Sequence, residues 1–127
     1  VFSGNNLNIL IAEDDENSFL YLSTILKSDN HKIIHSTTGP QTIELFTQNP
    51  NIDLIFMDIQ LPGINGYEVT RHIRELSQDV IIIAQTAYAH PSDREKALEV
   101  GCNDYISKPY KRETIKKLLH DLFIEGK

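Results

Sequence analysis

Apolar residues fall into five short, nearly unbroken runs at about 8–12, 32–36, 53–57, 80–85 and 104–107. These runs are rich in Ile, Val and Leu and alternate little with polar residues. That pattern predicts strands buried on both faces. Between them the spacing turns helical, at about 16–28, 40–48, 66–77, 92–100 and 111–124. Val69, Ile73 and Leu76 make one stripe, and Ile115, Leu118, Leu119, Leu122 and Phe123 make another. Thr38-Gly39-Pro40-Gln41 and Ser92-Asp93-Arg94-Glu95 fit the capping-box pattern, and Asn65 with Glu68 is a close variant. Gly101 is a natural helix stop. Five strand–helix pairs in series predict an α/β fold, one parallel sheet with helices on both faces.

No repeat, low-complexity segment or internal linker interrupts this series. The expectation is therefore a single domain over 1–127, with its core at about 7–124. A chain of 127 residues is long enough to bury a real core. The net charge of −6 argues against nonspecific nucleic-acid binding and suits a site that holds a cation. No apolar stretch reaches the roughly 18 residues of a membrane span, and no signal peptide is visible. The chain opens on Val1 rather than Met, as a piece trimmed or cut from a longer protein would. Cys102 is the single cysteine, so no internal disulfide forms, and a small buried side chain is expected.

Four of the apolar runs end in reactive polar groups. The first ends in Glu13-Asp14-Asp15, the third in Asp58, the fourth in Thr86 and the fifth in Lys108-Pro109. On neighbouring parallel strands these ends share one edge of the sheet. Asp15 reads as a helix cap, since acids favour helix N-termini. Glu13 and Asp14 read as oxygen ligands, because carboxylates forced together repel unless a cation neutralises them, and hard oxygens suit magnesium. Asp58 follows a strongly apolar strand, a poor place for Asp unless the carboxylate works, for instance as a nucleophile toward phosphorus. Thr86 is placed to hydrogen-bond a phosphoryl oxygen and Lys108 to supply positive charge. Without metal the clustered acids are expected to strain the fold, so that Asp58→Asn would melt higher than the parent. The five histidines form no metal set. Lys111, Arg112, Lys116 and Lys117 read as a solvated helix face, with a docking surface as the alternative.

Together, Ile9-Leu10-Ile11-Ala12-Glu13-Asp14-Asp15, Met57-Asp58-Ile59-Gln60-Leu61-Pro62-Gly63, Thr86-Ala87 and Lys108-Pro109 resemble the receiver domain of two-component response regulators over essentially the whole chain. The resemblance implies a flavodoxin-like doubly wound sheet in the order 2-1-3-4-5. It implies that Asp58 accepts a phosphoryl group from a phosphohistidine on a histidine kinase or a histidine phosphotransfer domain. Mg2+ would be held by Asp14 and Asp58, by the main-chain carbonyl of Gln60, and by Glu13 through water. Thr86 and Lys108 would contact the phosphoryl oxygens. Tyr105 matches an aromatic position that changes rotamer when Thr86 moves, altering the surface of the fourth helix, fifth strand and fifth helix. Ala87, Gln60 and Tyr88 match positions that tune phosphate entry and self-dephosphorylation.

Such a domain transfers phosphate to itself and hydrolyses it, rather than turning over a substrate. A haloacid-dehalogenase-like phosphohydrolase would want a second Asp where Gln60 stands. A flavin carrier would want a phosphate loop without acids. The Met57-Asp58-Ile59-Gln60 and Thr86-Ala87-Tyr88-Ala89 stretches resemble receivers fused to hybrid histidine kinases, although a free-standing regulator is the other option. Such a domain is expected in the cytoplasm, without membrane contact, as a monomer or a weak phosphorylation-dependent dimer.

Overall fold

The computed structural model describes residues 6–87 and 90–125, with side chains as far as Phe123. The strands are β1 (Asn8–Ala12), β2 (Lys32–Ser36), β3 (Leu54–Asp58), β4 (Ile81–Thr86) and β5 (Asp104–Ser107). The helices are α1 (Glu16–Lys27), α2 (Gly39–Gln48), α3 (Gly66–Leu76), α4 (Pro91–Val100) and α5 (Arg112–His120). A π-type turn, Asp121–Glu125, continues α5. All neighbouring strands run parallel, in the order β2-β1-β3-β4-β5.

The missing alternation in the strands follows from two cores, one on each face of the sheet. Leu10, Ala12, Ile55, Met57, Ile82 and Ala84 point to one face, where Phe46 of α2, Val69 and Ile73 of α3 and Ala97 of α4 cover them. Ile9, Ile11, Leu54, Phe56 and Ile83 point to the other, under Leu22, Ile25 and Leu26 of α1 and Ile115 and Leu119 of α5. Successive residues therefore alternate faces, yet the central positions of β1, β3 and β4 stay apolar on both. Truncating a side chain such as the fully buried Phe56 to Ala removes about 3–5 kcal/mol.

Most helix ends follow the expected chemistry. Asp15, Thr38 and Asn65 accept the amides of Ser18, Gln41 and Glu68 and so cap α1, α2 and α3. Gly101 ends α4 in the left-handed region at φ 118°. The start of α4 differs from the pattern in sequence. The helix begins at Pro91, and the cap is His90, whose Nδ1 accepts the Ser92 amide, rather than Ser92 itself. Proline's fixed φ and missing N–H suit the first helical position, which moves the start one residue earlier.

The expected α3 stripe also changes. Val69 and Ile73 are buried, but Leu76 is 57% exposed. The last turn runs past the core, and Leu76 lines a shallow hollow with Phe46 and Pro50. Cys102 is buried as expected, and burial pushes its thiol up to about 11. The basic residues of α5 turn partly inward to their own fold. Lys116 pairs with Asp29 at 2.8 Å and Arg112 donates to Ser28 Oγ at 3.3 Å, tying α5 to the end of α1.

Helix α4 is held least: Ala97 is its only buried residue. Val100 packs partly buried against the same core, and two contacts add to it on the surface, Lys96 over the Tyr67 ring and Arg94 beside Asp104. Arg74 of α3 grips the loop that follows, donating from Nε to the Gly101 carbonyl at 2.9 Å and from Nη2 to Asn103 Oδ1 at 2.8 Å.

His31 joins the first two strands at the end of the sheet away from the acids. Its Nδ1 accepts the Leu7 amide at 3.0 Å, and burial holds its pKa below the ordinary histidine value. The folded state thus keeps a neutral ring, while the unfolded chain takes up a proton from pH 6.5 downward. The stabilising difference is complete above that pH and is lost as pH falls toward the folded pKa. Thermal melts should therefore fall more steeply below pH 6.5 for the parent than for His31→Asn, which keeps an acceptor but does not titrate.

Candidate functional site

Because β1 and β3 are neighbours, their carboxyl ends bring Glu13, Asp14 and Asp58 together. One oxygen from each lies within 4.8 Å of the others. Glu13 and Asp58 are buried, at 1% and 6% exposure, while Asp14 faces solvent. Asp15, by contrast, turns to α1 and caps it through Ser18 at 2.8 Å. Asp15 is therefore the helix cap expected of it, while Glu13 and Asp14 stand together with Asp58.

Each buried acid is held at both oxygens. Glu13 Oε2 accepts the Asp15 amide at 3.1 Å, and Glu13 Oε1 accepts from Lys108 Nζ at 2.6 Å. Asp58 Oδ1 accepts the Gln60 amide at 2.9 Å, and Asp58 Oδ2 accepts from Lys108 Nζ at 3.2 Å. Lys108 thus bridges the two acids. Burial works against its ammonium, but the hydrogen bonds and charges of Glu13 and Asp58 lift its pKa above the ordinary lysine value. Burial pushes the Glu13 carboxyl up to about 7; Lys108 opposes the rise and the neighbouring Asp58 adds to it.

That bridge corrects the expectation of an unopposed acid cluster. Removing the Asp58 charge removes an attraction to Lys108 as well as a repulsion from Glu13. The ground for expecting Asp58→Asn to melt higher is lost.

The phosphate-facing expectations land on the same edge. Thr86 is buried at the end of β4, and its carbonyl accepts the Lys108 amide at 2.7 Å. Lys108 follows β5 and precedes Pro109 across a cis peptide. Gln60 and Ala87 are exposed at the rim. Tyr105 is half-buried against the α4-side core. Tyr88 lies outside the described residues.

Three supports escaped the sequence pattern. Gln85 sits in β4 between apolar residues and is fully buried. Its side-chain oxygen accepts from Tyr110 Oη at 3.0 Å, and its backbone carbonyl accepts the Ile59 amide at 3.1 Å, beside Asp58. Tyr21 of α1 donates to the Tyr110 carbonyl at 2.7 Å. A polar side chain inside an apolar strand needs a partner, and that was the available signal. Gly66 is the third support. A Cβ there would meet the Asp58 carbonyl at 2.5 Å, so only glycine lets α3 start against the back of that residue.

Fold and site together define a doubly wound α/β domain with an acidic, lysine-bridged crevice at the carboxyl ends of its strands. The family model for the response regulator receiver domain matches residues 9–120. The chain is 37% identical over 108 residues to the response regulator ArlR of Staphylococcus haemolyticus; the match covers 85% of this chain but only 48%, about half, of that protein. It is 34% identical to the receiver domain of sensor histidine kinase PA1611 from Pseudomonas aeruginosa PAO1, a structure with a magnesium ion coordinated in the active site cleft. There the TM-score is 0.82, over 91% of this chain and 95% of that one. It is 30% identical to the receiver domain of Saccharomyces cerevisiae Ssk1, solved with the histidine phosphotransfer protein Ypd1, with a TM-score of 0.86 over 95% and 90% of the two chains. The chain belongs to the response regulator receiver domain family, whose general function is to accept a phosphoryl group.

The lysine bridge carries a stability prediction. Losing one partner of a fully buried ion pair costs about 3–5 kcal/mol; with Lys108 22% exposed, about 1–3 kcal/mol is expected for Lys108→Met. Melts in EDTA should show that loss, and magnesium should narrow the gap by neutralising the acids itself. Equal midpoints in EDTA would mean that the lysine does not offset the acids.

Proposed function

We propose that this chain is a single receiver domain over residues 1–127 and that Asp58 is its phosphoacceptor. The observation that carries this reading is the environment of Asp58. It is a buried carboxylate held at both oxygens, beside a lysine and two further acids, at the carboxyl edge of a parallel sheet. The donor is the phosphohistidine of a histidine kinase or a histidine phosphotransfer domain. An Asp58 oxygen forms a bond to phosphorus as the P–N bond to the donor imidazole breaks. Lys108 and Thr86 bind the phosphoryl oxygens, and Lys108 moves from neutralising Glu13 and Asp58 to neutralising the transferred group. Water later cleaves the acyl phosphate, so the domain acts on itself and is not a turnover enzyme.

The donor set fits Mg2+, since three hard carboxylates converge where a small divalent cation would balance them. Glu13, Asp14, Asp58 and the Gln60 main-chain carbonyl would hold it, with Glu13 acting through water. When bound, the metal supplies charge neutralisation on the phosphoryl oxygens. Phosphorylation draws Thr86 toward the phosphoryl group, and Tyr105 follows, changing the α4-β5-α5 surface. Such a switch needs two states of similar free energy, biased by the phosphate.

The domain works in the cytoplasm as a monomer or a weak phosphorylation-dependent dimer, without binding nucleic acid or membrane. The likeness to the receiver of a sensor histidine kinase favours a hybrid kinase as its parent. Among the described residues no helix is long and apolar enough to cross a membrane.

Acetyl phosphate with magnesium should add one phosphoryl group to the parent and none to Asp58→Asn, read by intact mass. Full labelling of that variant would overturn the assignment. Asp14→Ala should abolish magnesium binding. Asp15→Ala should cost only the α1 cap, about 1 kcal/mol in denaturant melts, with binding retained.

A further inference from the structure

We propose that His35 is a positioning residue for the metal-binding loop, holding the Glu13–Asp14 peptide from the β2 side. The inference rests on the reading of Glu13 and Asp14 as metal-holding residues and adds how the loop is aimed. In the sheet, His35 lies beside Ile11, two residues before Glu13. The Glu13 amide donates to the Ser36 carbonyl at 3.0 Å, the last link of the β1–β2 ladder. The next group along, the Glu13 carbonyl, has left the strand and lies 2.8 Å from His35 Nε2. A carbonyl only accepts, so Nε2 carries a hydrogen.

The ring itself is fixed by stacking. Phe19 of α1 lies parallel to it, with centroids 3.6 Å apart and planes 7° from parallel. Phe19 and His35 are both half-buried, so the stack stands at the flank of the crevice and not in its floor. Helix α1 and strand β2 thus grip the loop between them through one imidazole.

The consequence falls on Asp14. The Glu13 carbonyl and the Asp14 amide belong to one planar peptide unit, so fixing the carbonyl direction fixes the plane from which Asp14 departs. Glu13 has its own restraints in Lys108 and the Asp15 amide. Asp14 is exposed, and the backbone it stands on is what aims it. Outer groups that orient ligands commonly matter about 10–100-fold in metal affinity.

The test compares Mg2+ titrations of the folded parent, His35→Phe and His35→Gln, followed by amide NMR well below the melting range. His35→Phe keeps a stackable ring without the donor. His35→Gln places an amide N–H near the position of Nε2. The dissociation constant should rise about 10-fold or more in His35→Phe and stay within about threefold of the parent in His35→Gln. A merely structural residue would lower the midpoint of both variants and leave the affinity of the folded protein alone. Parent-like binding by His35→Phe, or equal weakening in both variants, would overturn the positioning role while leaving the metal site standing. A parent that binds no magnesium would overturn the metal reading and the positioning role together. Should His35→Phe not fold, nitrogen NMR of the metal-free parent decides. The Nε2–H tautomer supports the proposal, and the Nδ1–H tautomer refutes it.

Discussion

The crevice depends on one ammonium placed between two carboxylates. Parallel pairing of β1 with β3 leaves no choice about where their carboxyl ends go, so Glu13 and Asp58 must face each other. At an effective dielectric near 20, two like charges about 4–5 Å apart repel by roughly 3–4 kcal/mol. Lys108 turns that repulsion into a shared ion pair, reaching Glu13 at 2.6 Å and Asp58 at 3.2 Å. It comes from the far side of the sheet, since β4 lies between β3 and β5. The lysine backbone is fixed in turn by the hydrogen bond its amide donates to the Thr86 carbonyl. The residue that balances the acids and the residue that carries the proposed hydroxyl contact are thus bonded to each other.

Behind this edge the fold spends polar contacts where a simple core would use apolar ones. Gln85 and Tyr110 join β4 to the segment after Lys108, and Tyr21 extends the link to α1. Gly66 lets α3 begin against the Asp58 backbone. The Gln85 oxygen is paired with Tyr110, and that pairing restricts the geometry of what it holds. The crevice is therefore buried and cross-linked at its floor and open at Asp14, Gln60 and Ala87.

Strands and site ends were legible in the sequence because a parallel sheet buried on both faces leaves unbroken apolar runs. A polar residue closing such a run stands out, as Asp58 and Thr86 do. The helix stripe at Val69 and Ile73 was legible for the same reason, while Leu76 misled because periodicity does not say where a core stops. His90 escaped because histidine is not a usual cap, and the Ser92 pattern two residues on is more familiar. Lys108 was visible as a charge near phosphate. Its bridging of Glu13 and Asp58 was not, since that needs a distance across three strands. His35 and Tyr110 escaped for the same reason: each acts on a residue far away in the chain, and no spacing rule connects them.

Helix α4 follows a different economy. Ala97 is its one buried side chain, and a methyl group contributes under about 1 kcal/mol of transfer free energy. The helix is tethered at its C-terminal end, where Gly101 is gripped by Arg74. Lifting it would uncover Ala97 and the partly buried Val100, a smaller apolar contribution than the other helices make, so its local opening is expected to cost less than global unfolding. Stability is therefore shared unevenly among the helices that cover the sheet. Sequence change on α4 outside Ala97 and Val100 would tune the opening of that helix more than the stability of the whole.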